Sequence, residues 1–165
     1  MIIWINGSFG VGKTTTAELL RKELDDSIIY DPEEIGGFLS NLFNYEKDDF
    51  QDYELWRTLN SEILMNLSSK SQYVIVPMTI TNVDYYDEIV KGLKKSGIII
   101  KHFILCATKE NIINRLNFRE NTTEWTYNQV DRCINVFASD KINGIKINTD
   151  NMNGVDIVKT IIDKL

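Results

Sequence analysis

Residues Gly7-Ser8-Phe9-Gly10-Val11-Gly12-Lys13-Thr14 satisfy the pattern G-x-x-x-x-G-K-[ST] at every fixed position. They stand between the apolar run Ile2 to Ile5 and a helix-forming stretch from Thr15 to Leu24. A strand, a glycine-rich turn and a helix in that order commit the chain to an α/β fold in which the first strand lies inside a sheet. The glycines let the backbone curl so that successive N–H groups point at phosphate oxygens, and the helix N-terminus adds partial positive charge. The spacing therefore predicts a triphosphate cradle formed by Gly7, Phe9, Gly10, Val11 and Gly12. Lys13 is expected across the β- and γ-phosphates, the Thr14 hydroxyl on magnesium, and Thr15 at the α-phosphate. Thr108-Lys109-Glu110-Asn111 departs from the guanine-reading pattern [NT]-K-x-D at its last position, because Asn cannot accept two hydrogen bonds as a carboxylate does. ATP with magnesium is the expected cofactor.

Apolar runs of strand length recur at 2 to 5, 27 to 30, 73 to 78, 98 to 105 and 144 to 148, most of them rich in Ile or Val. Continuous apolar character marks strands buried on both faces. Segments of helical period lie between them: Leu55, Trp56, Leu59, Ile63 and Leu67 form one stripe, and Val155, Val158, Ile162 and Leu165 another. The alternation predicts a three-layer α/β/α sandwich on a five-stranded parallel sheet, with ligands beyond the carboxyl ends of the strands. With 165 residues, 43% of them hydrophobic, one domain over 1–165 suffices for a core. Within it we expect a lid at about 115–132 and a substrate-side cap at about 33–70, whose stretch 41 to 54 is acidic and aromatic. A net charge of −6 disfavours nucleic acid or an anionic membrane as partner. Cys106 and Cys133 lack metal-ligand spacing and read as reduced core thiols in a cytoplasmic protein, and Met1 to Ile5 is far too short for a membrane span.

Phosphoryl transfer needs cations around the equatorial oxygens and a group that orients the attacking hydroxyl. The chain has five arginines, and Arg115, Arg119 and Arg132 fall in the segment after the fourth strand. Arg115 and Arg119, four residues apart, are expected on one helix face; Arg132 lies opposite the stripe of Val130, Ile134 and Phe137. Flanking Asn121 to Tyr127, the three predict a hinged lid that stabilises transition-state charge, with solvated surface paired to Glu120 or Asp131 as the alternative. Asp31, after the second strand and before Pro32, suits a base for the acceptor hydroxyl, a magnesium-bound water, or a helix cap. The third strand ends in Pro77 without an Asp, which argues against motor-type and AAA-type ATPases; Thr79 and Thr81 follow as substrate contacts. Arg57, with Asn60 and Ser61, forms a polar stripe and is a further substrate contact. His102, inside the fourth strand, reads as structural, and Asp150 is placed by topology near the adenine.

With MIIWINGSFGVGKTTTA, IIYDPEEIG, KDDFQDYELWR, VIVPMTI and QVDRC in view, the chain resembles the tunicamycin-resistance ATP-binding proteins, a branch of the P-loop small-molecule kinases. The resemblance implies a fold like that of shikimate and nucleoside monophosphate kinases, an ATP site at Gly7 to Thr15, and an arginine-bearing lid at Arg115, Arg119 and Arg132. It also implies a small-molecule phosphoryl acceptor and resistance to a nucleoside antibiotic, by phosphorylating it or by binding and sequestering it. Members of the branch can carry a C-terminal membrane-associated tail; here the sequence stops at Leu165, just after its last helix, and no stable membrane anchor is expected. The acceptor and the oligomeric state stay open.

Overall fold

The structure is a computed structural model that describes residues 1–120, 122–139 and 141–165. Five strands, β1 (Ile2–Gly7), β2 (Ser27–Ile29), β3 (Tyr73–Pro77), β4 (Ile100–Cys106) and β5 (Ile145–Asn148), pair in the order β2-β3-β1-β4-β5, every pair parallel. The helices are α1 (Lys13–Glu23), α2 (Pro32–Leu42), α3 (Glu54–Ser68), α4 (Val83–Lys95), α5 (Lys109–Asn117), α6 (Glu124–Ala138) and α7 (Gly154–Ile162), with a 3₁₀ turn at Phe50–Asp52.

Alternation along β1 builds the three layers. Ile2 and Trp4 enter a core with Leu39, Trp56, Leu64 and Ile89 from α2, α3 and α4. Ile3 and Ile5 enter another with Ala17 and Leu20 of α1 and Ile157 and Ile161 of α7. With the sheet covered on both faces, Ile2, Ile3, Trp4 and Ile5 have no solvent exposure, and each contributes on the order of 2 kcal/mol. The strand order reverses at β1, so its carboxyl end opens into the crevice that such sheets use for ligands.

Two helical stripes sit differently from expectation. In α3 the buried line is Trp56, Asn60 and Leu64, while Leu55 is 44% exposed. Asn60, read as part of a polar outer stripe, is fully buried because its side chain is satisfied: it accepts from the Tyr30 hydroxyl at 2.6 Å and donates to Trp56 O at 2.7 Å. Ser61 is half-buried and donates to Ile89 O at 3.1 Å. In α7 the buried residues are Ile157, Val158 and Ile161, and Val155 is exposed. The stretch 33–70 comprises most of α2, the 3₁₀ turn and α3; the stretch 115–132 comprises the end of α5 and the first part of α6, and its Asn121 lies outside the described residues.

Candidate active site

The loop after β1 depends on its glycines. Gly12 caps α1 at φ 103°, a left-handed conformation that disfavours any side chain, and a Cβ on Gly10 (φ 75°) would stand 2.8 Å from Leu116 Cγ. Lys13 is buried against its own loop: Nζ donates to Ser8 O at 3.0 Å and Gly7 O at 3.2 Å, 5.5 Å over the Phe9 ring. Burial lowers the ammonium pKa to about 8, a shift that the Glu33 carboxylate opposes. Thr14 and Thr15 follow in the exposed first turn of α1, with Thr14 on the wall of the adjoining cavity.

That cavity, of about 240 Å³, gathers residues from five parts of the chain. Phe9, Lys13 and Thr14 come from the loop, and Asp31 and Glu33 from the start of α2. Asp49, Phe50 and Gln51 come from the 3₁₀ turn, and Met78 and Thr79 from beyond β3. Arg119, Trp125 and Thr126 close the other side. Asp31 caps α2, its carboxylate accepting from Glu33 N at 2.9 Å, and also lines the cavity. Glu33 keeps an open side, yet the walls crowd its carboxyl and push it above the ordinary range, with Lys13 pulling the other way. Burial likewise raises Asp49, which accepts from Gln51 N at 3.0 Å.

Hydrogen bonds tie this wall to the loop. Gln51 Nε2 donates to Thr79 O at 3.0 Å, and Thr79 Oγ1 donates to Gly7 O at 2.9 Å. Behind them Asn6, fully buried, accepts at Oδ1 from Gly7 N (2.9 Å) and Ile80 N (3.0 Å) and donates from Nδ2 to Ile80 O (2.9 Å). The same Nδ2 faces His102 Nε2 at 3.3 Å. Because the backbone partners fix the amide's orientation, His102 Nε2 is the acceptor there, and the ring carries its proton on Nδ1. Burial lowers the His102 pKa to about 4, and the ring stacks on Tyr86 at 4.6 Å.

The structure separates the arginines. Arg119 lines the cavity. Arg115 does not share its direction, because α5 ends at Asn117 and the helical spacing between them is broken. Its guanidinium instead donates to Val11 O (3.2 Å), Thr149 Oγ1 (3.3 Å) and Thr149 O (3.1 Å), joining the loop to the end of β5. Arg132 is exposed on α6, away from the lining, though its charge favours the ionised form of Asp49. Asp131 pairs with Lys109 at 2.8 Å. Arg57 stands behind the wall: it donates to Gln51 O at 2.7 Å, pairs with Glu88 and lies 4.2 Å over the Tyr85 ring. Thr81 lies outside the lining. Asp150 accepts from Thr108 N (2.9 Å), Thr108 Oγ1 (3.1 Å) and Asn111 Nδ2 (2.7 Å); these bonds, the Asn111 amide foremost, hold its carboxyl below the usual range.

Glu33, Asp49, Gln51 and Trp125 were not anticipated as site residues. Asp49 and Gln51 stand in the KDDFQDYELWR segment, but only tertiary contact aims them at the loop.

A profile of the AAA domain family matches residues 2–139. This corrects the expectation against AAA-type proteins: the match runs from β1 to just past α6 although no carboxylate ends β3. The tunicamycin resistance protein of Deinococcus radiodurans superposes with a TM-score of 0.82 and 30% identity, covering 99% of this chain and 94% of that one. A sugar kinase from Janibacter sp. HTCC2649 (TM-score 0.72, 15% identity, 98% and 92% covered) shares the fold. So does shikimate kinase from Acinetobacter baumannii in complex with shikimate (0.65, 17%, 99% and 91%). No curated protein sequence matches significantly. The profile match and the 30% identity over nearly the whole of both chains place this protein in the AAA domain family and in the family of the tunicamycin resistance protein.

Proposed function

We propose that the protein is a phosphotransferase that uses ATP and magnesium to phosphorylate a hydroxyl of a small molecule. The observation that carries this reading is one cavity that joins Lys13 and Thr14 of the loop, the carboxylates Asp31 and Glu33, and Arg119. The residues fit the nucleotide. The left-handed Gly12 opens the loop backbone ahead of α1, and the Lys13 ammonium has only carbonyl oxygens as hydrogen-bond partners, which phosphate oxygens can replace. Gly7, Phe9, Gly10, Val11, Gly12 and Thr15 would hold phosphates, Thr14 the magnesium, and Asp150 and Arg115 would shape the adenine side.

Bound ATP with magnesium supplies the phosphoryl group. Asp31 takes the proton from the acceptor hydroxyl, with Glu33 beside it in the same wall. Thr79 orients the acceptor while its own hydroxyl stays on Gly7 O. Arg119 brings positive charge to the equatorial oxygens, and Phe9 and Trp125, edge to face at 5.6 Å, exclude water from that side. Arg57, Arg115 and Arg132 act through other groups: Arg57 through Gln51, Arg115 through Val11, and Arg132 through the charge of Asp49.

Membership in the tunicamycin resistance family makes a nucleoside antibiotic the first acceptor to test, and ATP use suits the cytoplasm. Among the described residues no helix is long and apolar enough to cross a membrane. The test is ADP release across tunicamycin, nucleosides, nucleoside monophosphates, shikimate and gluconate, with Lys13→Ala as blank and mass spectrometry of the product. A phosphorylated product names the acceptor; tight binding of tunicamycin without turnover replaces catalysis by sequestration.

A further inference from the structure

The cavity is lined by charges of both signs, carboxylates outnumbering cations. Its cationic groups, Lys13 and Arg119, come from the phosphate loop and from the segment between α5 and α6. The rest of the lining carries three carboxylates, Asp31, Glu33 and Asp49, of which Asp31 and Glu33 lie within electrostatic reach of Lys13. The nearest basic side chains outside it supply no further cation: Arg57 is committed to Glu88 and Gln51 O behind the wall, and exposed Arg132 lies outside the lining. An anionic acceptor would meet three like charges with no counter-ion of its own, because the phosphates would use Lys13 and Arg119.

The wall is also rich in hydrogen-bond acceptors. Buried Gln51 spends its Nε2 on Thr79 O, which leaves its Oε1 as an acceptor in a lining that also holds the carboxylates of Asp31 and Asp49. Phe50 and Met78 line the same cavity and offer apolar contact to the flat side of a ring. Such a wall matches a ligand that offers several O–H or N–H donors around a ring.

Building on the kinase reading, we propose that the phosphoryl acceptor carries no negative charge and is rich in hydrogen-bond donors, as nucleosides, sugars and amino sugars are. Shikimate, gluconate and nucleoside monophosphates are thereby excluded. Electrostatic exclusion acts at the acceptor wall, so it is separable from nucleotide binding at the loop.

The test uses the full chain with magnesium and a saturating non-hydrolysable ATP analogue, so that no anion can be captured by the loop. Binding of the analogue, measured first, judges the kinase reading alone: its loss in Lys13→Ala supports that reading, and equal affinity in the variant sinks it. Matched compounds are then titrated calorimetrically: uridine against uridine monophosphate, glucose against gluconate, shikimate methyl ester against shikimate, and glucosamine as the cationic arm. The neutral or cationic compounds should bind at least ~10-fold more tightly than their anionic partners. In the double variant Glu33→Gln and Asp49→Asn, whose melting is checked alongside, the difference should shrink to within ~3-fold. Gln51→Leu should weaken the neutral compounds without admitting the anions. An anion that binds as tightly as its neutral partner to wild type overturns the proposal. So does a preference that survives the double variant, or the absence of any neutral or cationic binder up to about 5 mM.

Discussion

At the scale of single residues, Lys13 is the most exposed to test. Its burial holds the ammonium at a pKa of about 8, below the 10.5 of a free lysine, so the charge that phosphate needs is already half lost at about pH 8 and fades further above it. Bound phosphate restores the charge. ATP binding about one pH unit above that pKa is therefore expected to take up close to one proton, visible as a dependence of the calorimetric heat on buffer ionisation enthalpy. Lys13→Ala should lose that uptake and most of the affinity; uptake that persists in the variant would assign it elsewhere. Asp31→Asn keeps an oxygen for the helix cap but removes the base, so kcat should fall ~10²-fold with ATP affinity nearly unchanged. A wild-type rate would reduce Asp31 to its capping bond and shift the proton to Glu33. Since burial raises the Glu33 carboxyl, a base at that position would place the acidic limb of the rate profile above the ordinary glutamate range.

At the scale of elements, α5 and the segment after it divide two tasks that sequence spacing assigned to one face. Arg119 follows the helix end and reaches the cavity, whereas Arg115, still helical, binds Val11 O and Thr149. Arg119→Ala is predicted to lower kcat ~10²-fold with little effect on melting. Arg115→Ala should instead raise the KM for ATP and lower the melting temperature, since it frees the loop from the end of β5. Equal effects of the two on kcat would argue for a shared catalytic role. The carboxyl ends of β1 and β3 are joined in a comparable way by Asn6, whose amide serves Gly7 and Ile80 at once. Asn6→Leu leaves buried backbone groups without partners and is expected to cost about 1–3 kcal/mol or more in urea unfolding.

For the molecule as a whole, His102 links the site's support to acid stability. Its folded pKa of about 4 lies below the 6.5 of the unfolded chain, so below pH 6.5 the unfolded state binds a proton that the folded state refuses. Stability from this group is complete above pH 6.5 and declines as pH falls toward 4, by on the order of 3 kcal/mol in full. Glu33 and Asp49, with raised pKa values, act in the opposite sense, so the comparison that isolates His102 is wild type against His102→Gln. The variant's melting temperature should depend less on pH across 4 to 6.5; parallel curves would detach the histidine from acid sensitivity.

Local order determined much of this protein. The glycine pattern before Lys13 and Thr14 and the doubly buried strands reveal the phosphate loop and the three-layer sheet, because each depends on neighbours within a few residues. Helical phase was less legible: Leu55 and Val155 turned outward and Asn60 inward, since periodicity defines faces relative to an axis and the packing partner decides which face is buried. The acceptor wall was decided by tertiary structure alone. Gln51 meets Thr79 from 28 residues away in sequence, and Arg57 is directed to Glu88 instead of the cavity by a helix that packs 31 residues later in the chain. Charge complementarity between such distant segments exists only once the sheet has brought their ends together, which no local pattern in the sequence records.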